Sequence, residues 1–515
     1  MRYHLFFLTA LLLAACSPSY DTVILGAEIH DGTGEPGFVA DVAIANGRIV
    51  AVGQLEDYRA ESVVEARGLV LAPGFIDVHS HAAGGLATEA LAPAEPLLRQ
   101  GITTVFVNPD GGGAVDLAEQ ARELEAVKPG VNVAQLVPHG SVRREVMGME
   151  NRHATPDELS SMRALVEAGH AAGAFGLSSG LFYTPGSYAD LSEVIELARV
   201  FGPAGVYSSH IRDESDYSIG LLAAIDEVIR VSREADTRGI VTHIKALGPH
   251  VWGYSREAIA RIEEARAEGV DIWADQYPYE ASATSLTALV SRPLLAGDSL
   301  RIRLREIPEV LYADIVENLE RRGGADRIQF RRYVPDPTIE GATLASVAAD
   351  RGEDPVRTAM HLLAEGNAGI VSHNMTPEDV EEFMIQQWVM TSSDGGLVPM
   401  GSGVPHPRNY GSFPRKLSRY VRERGVMELS VAIRSMTGLP ADVMRLGSRG
   451  YVRDGLVADL VLFDPHAIDD RATFTAPHQV SVGAVAVWVN GNLALGGATG
   501  LAPGRFGKVL KRGVD

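Results

Sequence analysis

Phe75-Ile76-Asp77-Val78-His79-Ser80-His81 reads as a short apolar strand that ends on two imidazoles. Side chains two apart in a strand share a face, so His79 and His81 can point together and grip one cation. Taken alone, His-x-His is equally a buried or surface structural pair. Working outward, short apolar segments recur at 74–78, 103–108, 133–137, 175–178, 205–209, 240–242, 272–274, 369–372 and 389–392. Helical stretches such as 156–171, 191–201 and 255–268 alternate with them, a rhythm that implies a parallel sheet. These candidates number one more than an eight-stranded (β/α)8 barrel needs. The segment 369–372 is set aside from the metal-bearing set, because the stretch 291–350 breaks the rhythm just before it. That stretch reads as an inserted lid or small subdomain.

Both ends of the chain have a different texture. Alternating apolar segments at 22–25, 42–45 and 48–52 are broken by Asp31-Gly32 and Asn46-Gly47, and the pattern returns at 459–463 and 484–489 before Asn490-Gly491. Such dipeptides mark hairpin turns. The expected division is a strand-rich part 20–72, a barrel 73–435 and a second strand-rich part 436–515.

The chain has 515 residues with 46 Lys+Arg against 66 Asp+Glu, a formal charge of −20. Nucleic acid is excluded as an expected partner, since such binding rests on clustered Lys and Arg. The 46% hydrophobic and 22% charged content is that of a globular protein. A single cysteine rules out a disulfide framework and any Cys-rich zinc module. A metal site here must therefore be built from His and carboxylates.

The first 15 residues carry one Arg, an apolar run and then small residues, the three regions of a secretory signal. Leu13-Ala14-Ala15-Cys16 resembles the bacterial lipoprotein cleavage box, in which the cysteine becomes the lipidated first residue. The alternative is a simple signal peptide with Cys16 near the cut by chance. Ser17 after the cysteine favours the outer over the inner membrane by resemblance to sorted lipoproteins. The expectation is an exported, membrane-anchored chain on the periplasmic face, held to lipid by acyl chains.

Several strand candidates end on metal-capable side chains: His79 and His81, then His210, His243 and Asp394. Active sites of parallel barrels lie at the C-terminal ends of the strands. Four histidines and an aspartate exceed what one tetrahedral ion needs. They suit one or two divalent ions, zinc first. Independently satisfied polar residues at strand tips are the alternative.

The ordered series of motifs resembles the amidohydrolase superfamily and, within it, the N-acyl-D-amino-acid deacylase (D-aminoacylase) family. It runs from Pro73-Gly74-Phe75-Ile76-Asp77-Val78-His79-Ser80-His81 through Gly176-Leu177-Ser178-Ser179-Gly180-Leu181-Phe182-Tyr183, His210-Ile211-Arg212-Asp213-Glu214, His243-Ile244-Lys245-Ala246 and Asp275-Gln276-Tyr277-Pro278-Tyr279. It continues in Ser393-Asp394-Gly395, His406-Pro407-Arg408 and Met436-Thr437-Gly438-Leu439-Pro440, and closes at Gly455-Leu456-Val457-Ala458-Asp459-Leu460-Val461. The resemblance implies a TIM-type barrel beside a composite β-sandwich formed by both termini. It implies that His79, His81 and Asp394 bind one metal position, and His210 and His243 the other. A bridging ligand on the second barrel strand completes such sites, and in most D-aminoacylases it is a cysteine. Aligning Gly101-Ile102-Thr103-Thr104-Val105 without gaps places Asp110 there. A carboxylate can span two ions but is harder than thiolate. Residues 175–180 hold no lysine, which closes the carboxylated-lysine bridge of other branches. Asp110 can equally be a turn residue in Asp110-Gly111-Gly112-Gly113, and Asn108 is a poorer candidate because it is uncharged.

By the same resemblance the reaction is metal-assisted amide hydrolysis of N-acyl-D-amino acids, with Asp394 as general base and then general acid. Lys245, Tyr277, Tyr279 and Tyr183 are implied for the substrate carboxylate. Lys245, two residues after His243, should also face the same way as that ligand. Each tyrosine is equally a core residue. His139 is a structural residue or one that supports a ligand. Members of the resembled family that prefer an acidic D-residue tend to put a cation just after the Tyr-Pro-Tyr segment, and residues 281–290 carry no Arg or Lys, so the resemblance implies an apolar or small D-side chain. The alternatives are a dipeptidase-like or dihydropyrimidinase-like amidohydrolase, and a catalytically inert lipid-anchored metal-binding protein.

Overall fold

The computed structural model describes residues 18–295, 300–496 and 500–514. The expected leader, residues 1–15, and Cys16 lie outside them. The architecture is α/β. Phe75–Asp77, Ile102–Val107 and Asn132–Gln135 pair in parallel in one sheet. Val137–Pro138, Gly176–Gly180, Val206–His210, Arg238–Val241, Ile272–Gln276 and Val389–Thr391 pair in parallel in the next. Only Leu136 separates the two sheets, and at the far edge Gly395–Gly396 pairs in parallel with Ser80–His81. The strands thus follow one another in chain order, with helices such as Pro156–Ala171, Leu191–Ala198 and Ser255–Ala267 between them. Thr155 and Glu158 form a capping box on the first of these helices, the reason it starts where it does. Ile76, Phe106, Ile240 and Met390 from the strands pack together with Leu136 and Phe175, which stand next to strand ends.

The break in the rhythm is wider than the expected 291–350. Ser282–Ser285, Gly369–Ser372 and Ile328–Arg332 form an antiparallel sheet with Gly369–Ser372 in the middle. This sheet and its helices share a core of their own from Leu286 to Ile370. The set-aside segment 369–372 belongs here, because its partners lie within the insertion and run antiparallel to it.

The two ends of the chain meet in one eight-stranded sheet. Val70–Pro73 pairs antiparallel with Leu460–Phe463, tying the N-terminal strands to the C-terminal ones. Leu460 and Leu462 pack with Ile24, Ile44 and Trp488, whereas Val461 and Phe463 pack with Phe75, Ile102 and Val105. This alternation buries both faces of the strand. Asn46-Gly47 and Asn490-Gly491 form two-residue turns with positive φ throughout (53° and 76°, 52° and 77°), as the primed hairpin turn requires. Asp31-Gly32 instead sits in a longer loop between Ser19–Ile29 and Phe38–Ala45. Asp31 there caps Thr33, accepting from its N–H and hydroxyl.

Candidate metal centre

Two groups of side chains converge at the strand ends, and they share one carboxylate. His79, His81, Asp110 and Asp394 form the first, Asp110, His210 and His243 the second, with ligand atoms within 4.8 Å of one another in each. Asp110 Oδ1 lies 3.2 Å from His79 Nε2, 3.6 Å from His210 Nδ1 and 3.5 Å from His243 Nε2. Its Oδ2 lies 3.3 Å from His81 Nε2. Asp394 Oδ1 stands 3.2 Å from His81 Nε2 and 3.7 Å from His79 Nε2. The structure therefore brings all six expected ligands together, with Asp110 between the groups.

Local backbone holds these groups in place. Asp110, His243 and Asp394 all have left-handed φ, 56°, 36° and 48°, a conformation that costs a side-chain-bearing residue energy and clusters at functional sites. A Cβ on Gly180 would lie 2.1 Å from Asp110 O, so the glycine lets the Asp110 loop lie directly on the Gly176–Gly180 strand. Asp77 accepts from Ser393 N (2.8 Å) and Ser393 Oγ (2.5 Å), which binds the His79 strand to the Asp394 loop. Burial pushes the Asp77 carboxyl up to about 6. Asp275 Oδ1 accepts from His243 N (3.0 Å) and Ser392 Oγ (2.6 Å) and so fixes the His243 turn.

Both ring nitrogens of His79, both of His210, and Asp110 Oδ1 are buried without a hydrogen-bond partner. Orphaned groups of this kind are costly. Imidazole lone pairs aimed at carboxylate oxygens at these separations are what a divalent cation with nitrogen and oxygen ligands satisfies. The residues fit a metal. Without one, charge is balanced by protons. Burial works against a charged His81, but Asp110 and Asp394 outweigh it and raise the ring to about 9. Burial likewise opposes ionisation of Asp110, and the surrounding imidazoles hold it well below the usual carboxylate range.

The cluster opens on a cavity of about 670 Å3 lined by Tyr183, Lys245, Tyr277 and Arg408 among others. Lys245 Nζ is buried, 2.5 Å from Glu214 Oε1 and 2.6 Å from His243 Nδ1. Glu214 Oε1 also lies 3.0 Å from His243 Nδ1. Burial would raise the Glu214 carboxyl, but Lys245 and the two histidines hold it far below its ordinary value. The Tyr277 hydroxyl is buried with no partner. Its ring lies under Lys245 (5.6 Å) and Arg408 (4.8 Å). Tyr183 packs on His210 with ring centroids 4.7 Å apart.

Tyr279 is not brought to the cavity. Its N–H bonds back to Tyr277 O (3.0 Å), a γ-turn about Pro278 that reverses the same-face relation of an extended chain. Its hydroxyl donates to Asp470 (3.3 Å), and Arg415 lies over its ring. His139 pairs with Glu193 (2.9 Å), which also holds Arg143, so it supports the fold beside the site. Sequence reasoning assigned no role to Glu214, Asp275 or Arg408. All three stand inside the quoted motifs, four residues after His210, at the end of the Ile272–Gln276 strand, and two residues after His406. Arg408 Nη1 lies 2.8 Å from Asp394 Oδ2 without hydrogen-bond alignment. Buried His406 donates to Ala281 O (2.9 Å) and accepts the Arg408 N–H (3.0 Å).

The sequence profile of the amidohydrolase family matches residues 62–494. A D-aminoacylase of Alcaligenes xylosoxydans xylosoxydans is 34% identical over 499 residues, covering 92% of this chain and 94% of that protein. A solved structure concerned with the functional role of the binuclear metal centre in D-aminoacylase superposes with a TM-score of 0.83 at 32% identity, over 96% of this chain and all of that one. The N-acyl-D-glutamate deacylase from Bordetella bronchiseptica was solved with zinc and a phosphonate mimic of the tetrahedral intermediate. It superposes with a TM-score of 0.82 at 34% identity over the same shares.

Proposed function

The chain belongs to the amidohydrolase family, and on that footing we propose that it hydrolyses the amide of N-acyl-D-amino acids, metal-dependently, to a carboxylate and a free D-amino acid. The observation that carries the reading is the meeting of two imidazole–carboxylate groups through Asp110 at the floor of a cavity that also holds Lys245. His79, His81 and Asp394 would hold one metal position, His210 and His243 the other, and Asp110 would be available to both. A bound divalent ion, zinc by this donor set, supplies Lewis acidity, lowering the pKa of water and polarising the carbonyl.

The chain's own groups do the rest. Lys245 donates one of its three N–H groups to Glu214 and has a second beside the His243 ring, whose Nδ1–H would itself donate to Glu214 with Nε2 turned to a metal. The third, with the unpartnered Tyr277 hydroxyl and Tyr183 beside it, takes the substrate's α-carboxylate. Asp394 accepts the proton of the attacking water and returns it to the departing nitrogen. Arg408 at Oδ2 opposes that uptake, and an incoming carboxylate is the group that draws it off.

The parallel strands close as a (β/α)8 barrel through the Ser80–His81 and Gly395–Gly396 pair, with the terminal sheet as a composite sandwich beside it. Lipidated Cys16 tethers the chain to the periplasmic face of the outer membrane. Among the described residues no helix is long and apolar enough to cross a membrane.

The test is turnover of paired N-acetyl-D- and N-acetyl-L-amino acids by the zinc-reconstituted protein. D-selective release of amino acid, lost on chelation and in Asp394→Asn, is expected. Turnover of neither enantiomer, or of the L-series alone, overturns the reading.

A further inference from the structure

One wall of the cavity comes from the insertion. Ile328–Arg332 pairs antiparallel with Gly369–Ser372, and the register slips so that Phe330 faces Ile370 while Arg332 faces Gly369. Arg331 is thus the extra residue of a β-bulge, a device that re-aims the side chain it carries and recurs beside active sites. Arg332 turns to Glu340 (3.7 Å), whereas Arg331 lines the cavity. The strand opposite gives it room, since a Cβ on Gly369 would lie 2.8 Å from Arg331 Nε. The backbone is anchored by Val404 N–H to Arg331 O (2.8 Å).

The Arg331 guanidinium lacks what its neighbours have. Arg408 stands against Asp394, and Arg322 donates to Ser372 and lies over the Tyr217 ring. Among the described residues no hydrogen bond or carboxylate within ion-pair distance falls to Arg331, and its Nε is buried unpartnered. Arg331 is half-buried, and the part of a cation drawn from water with no anion beside it costs free energy. A carboxylate offered by a ligand recovers that cost through charge-assisted hydrogen bonds.

We propose that Arg331 forms an anion subsite of the substrate pocket that takes a second carboxylate of the N-acyl-D-amino acid. This rests on the hydrolase reading above and narrows it to dicarboxylic substrates. The second carboxylate comes either from an acidic D-side chain or from a dicarboxylic acyl group. It departs from the expectation of an apolar side chain, which used only residues 281–290. The cation arrives from a strand some forty positions later.

The experiment compares kcat/KM of the zinc-loaded protein on isosteric pairs that differ in one charge. These are N-acetyl-D-Glu against N-acetyl-D-Gln, and N-succinyl-D-Leu against N-succinamoyl-D-Leu. At least one acid is expected to exceed its amide by about tenfold or more, and the pair that does so identifies the source. Arg331→Met is expected to bring that ratio to about unity, and Arg331→Lys, the milder change should the Met variant not fold, to an intermediate value. Gly369→Ala, which keeps the charge but crowds the guanidinium, is expected to lower it as well. Equal turnover within both pairs, or a preference that survives Arg331→Met, overturns the subsite. Should no N-acyl-D-amino acid be hydrolysed, the hydrolase reading falls, and calorimetric binding compared within both acid–amide pairs still reads the subsite. Equal affinity there overturns it too.

Discussion

Asp110→Asn keeps the shape of the shared ligand and removes its charge, so it tests the bridge directly. Asp110 Oδ1 lies 3.2–3.6 Å from three imidazoles, and Oδ2 lies 3.3 Å from a fourth. Removing one partner from a buried set of charges costs about 3–5 kcal/mol, which at about 1.4 kcal/mol per decade is a hundredfold to a few thousandfold in affinity. The loss falls unevenly. The first group keeps His79, His81 and Asp394, while the second is left with His210 and His243, fewer than the three protein ligands of a catalytic zinc site. Equilibrium dialysis with elemental analysis, backed by calorimetry, should find two zinc ions per wild-type chain and one, more weakly held, in Asp110→Asn. Asp110→Cys, which restores an anionic bridge, should regain the second. An Asn variant that holds two ions with affinities within about threefold of wild type would refute the reasoning.

Tyr277→Phe removes a buried hydroxyl with no partner, so it should leave thermal stability unchanged or raised while KM for an N-acyl-D-amino acid increases about tenfold; a marked loss of Tm with KM unchanged would make the tyrosine structural. Zinc binding at pH 7 should release about one proton or more, since His81 is raised to about 9 in the metal-free protein and a ligating imidazole must be neutral. Calorimetry in buffers of different ionisation enthalpy reads this, and zero release contradicts it. Lys416, buried between Thr391 Oγ1 and Ser435 Oγ at 2.9 Å each, is pushed by burial from 10.5 to about 7. The native state then binds fewer protons than the unfolded chain between pH 7 and 10.5, so the penalty is full below pH 7 and fades above it. Lys416→Met should stabilise by about 2–3 kcal/mol at pH 6, after allowing for the two hydrogen bonds the ammonium gives up, while Thr391 and Ser435 keep each other and Ala432 O as partners. The gain should shrink towards pH 10.5, and a pH-independent difference in denaturant midpoints would argue against it.

The strand ends were legible because short apolar runs closing on His or Asp carry a local signal. His210 and His243 each stand at the tip of a strand the pattern marks, and both Asn-Gly turns follow from backbone preference alone. The limits of the insertion were not legible, because Ser282–Ser285 is too polar to read as a strand and Gly369–Ser372 looks like a barrel strand until its antiparallel partners are known. Tyr279 was misread for a local reason, the turn at Pro278. Glu214, Arg408 and Arg331 reach the cavity by tertiary placement. A charged residue in a loop or on a bulge has no periodicity that sets it apart from a solvated one.

Anomalous diffraction at the zinc absorption edge from zinc-loaded crystals would locate any ions the cluster binds. Peaks are expected about 2.0–2.2 Å from the ligand atoms of His79, His81, Asp110 and Asp394 and of Asp110, His210 and His243. Peaks confined to other sites, or an empty cluster in crystals that carry zinc elsewhere, would contradict this placement.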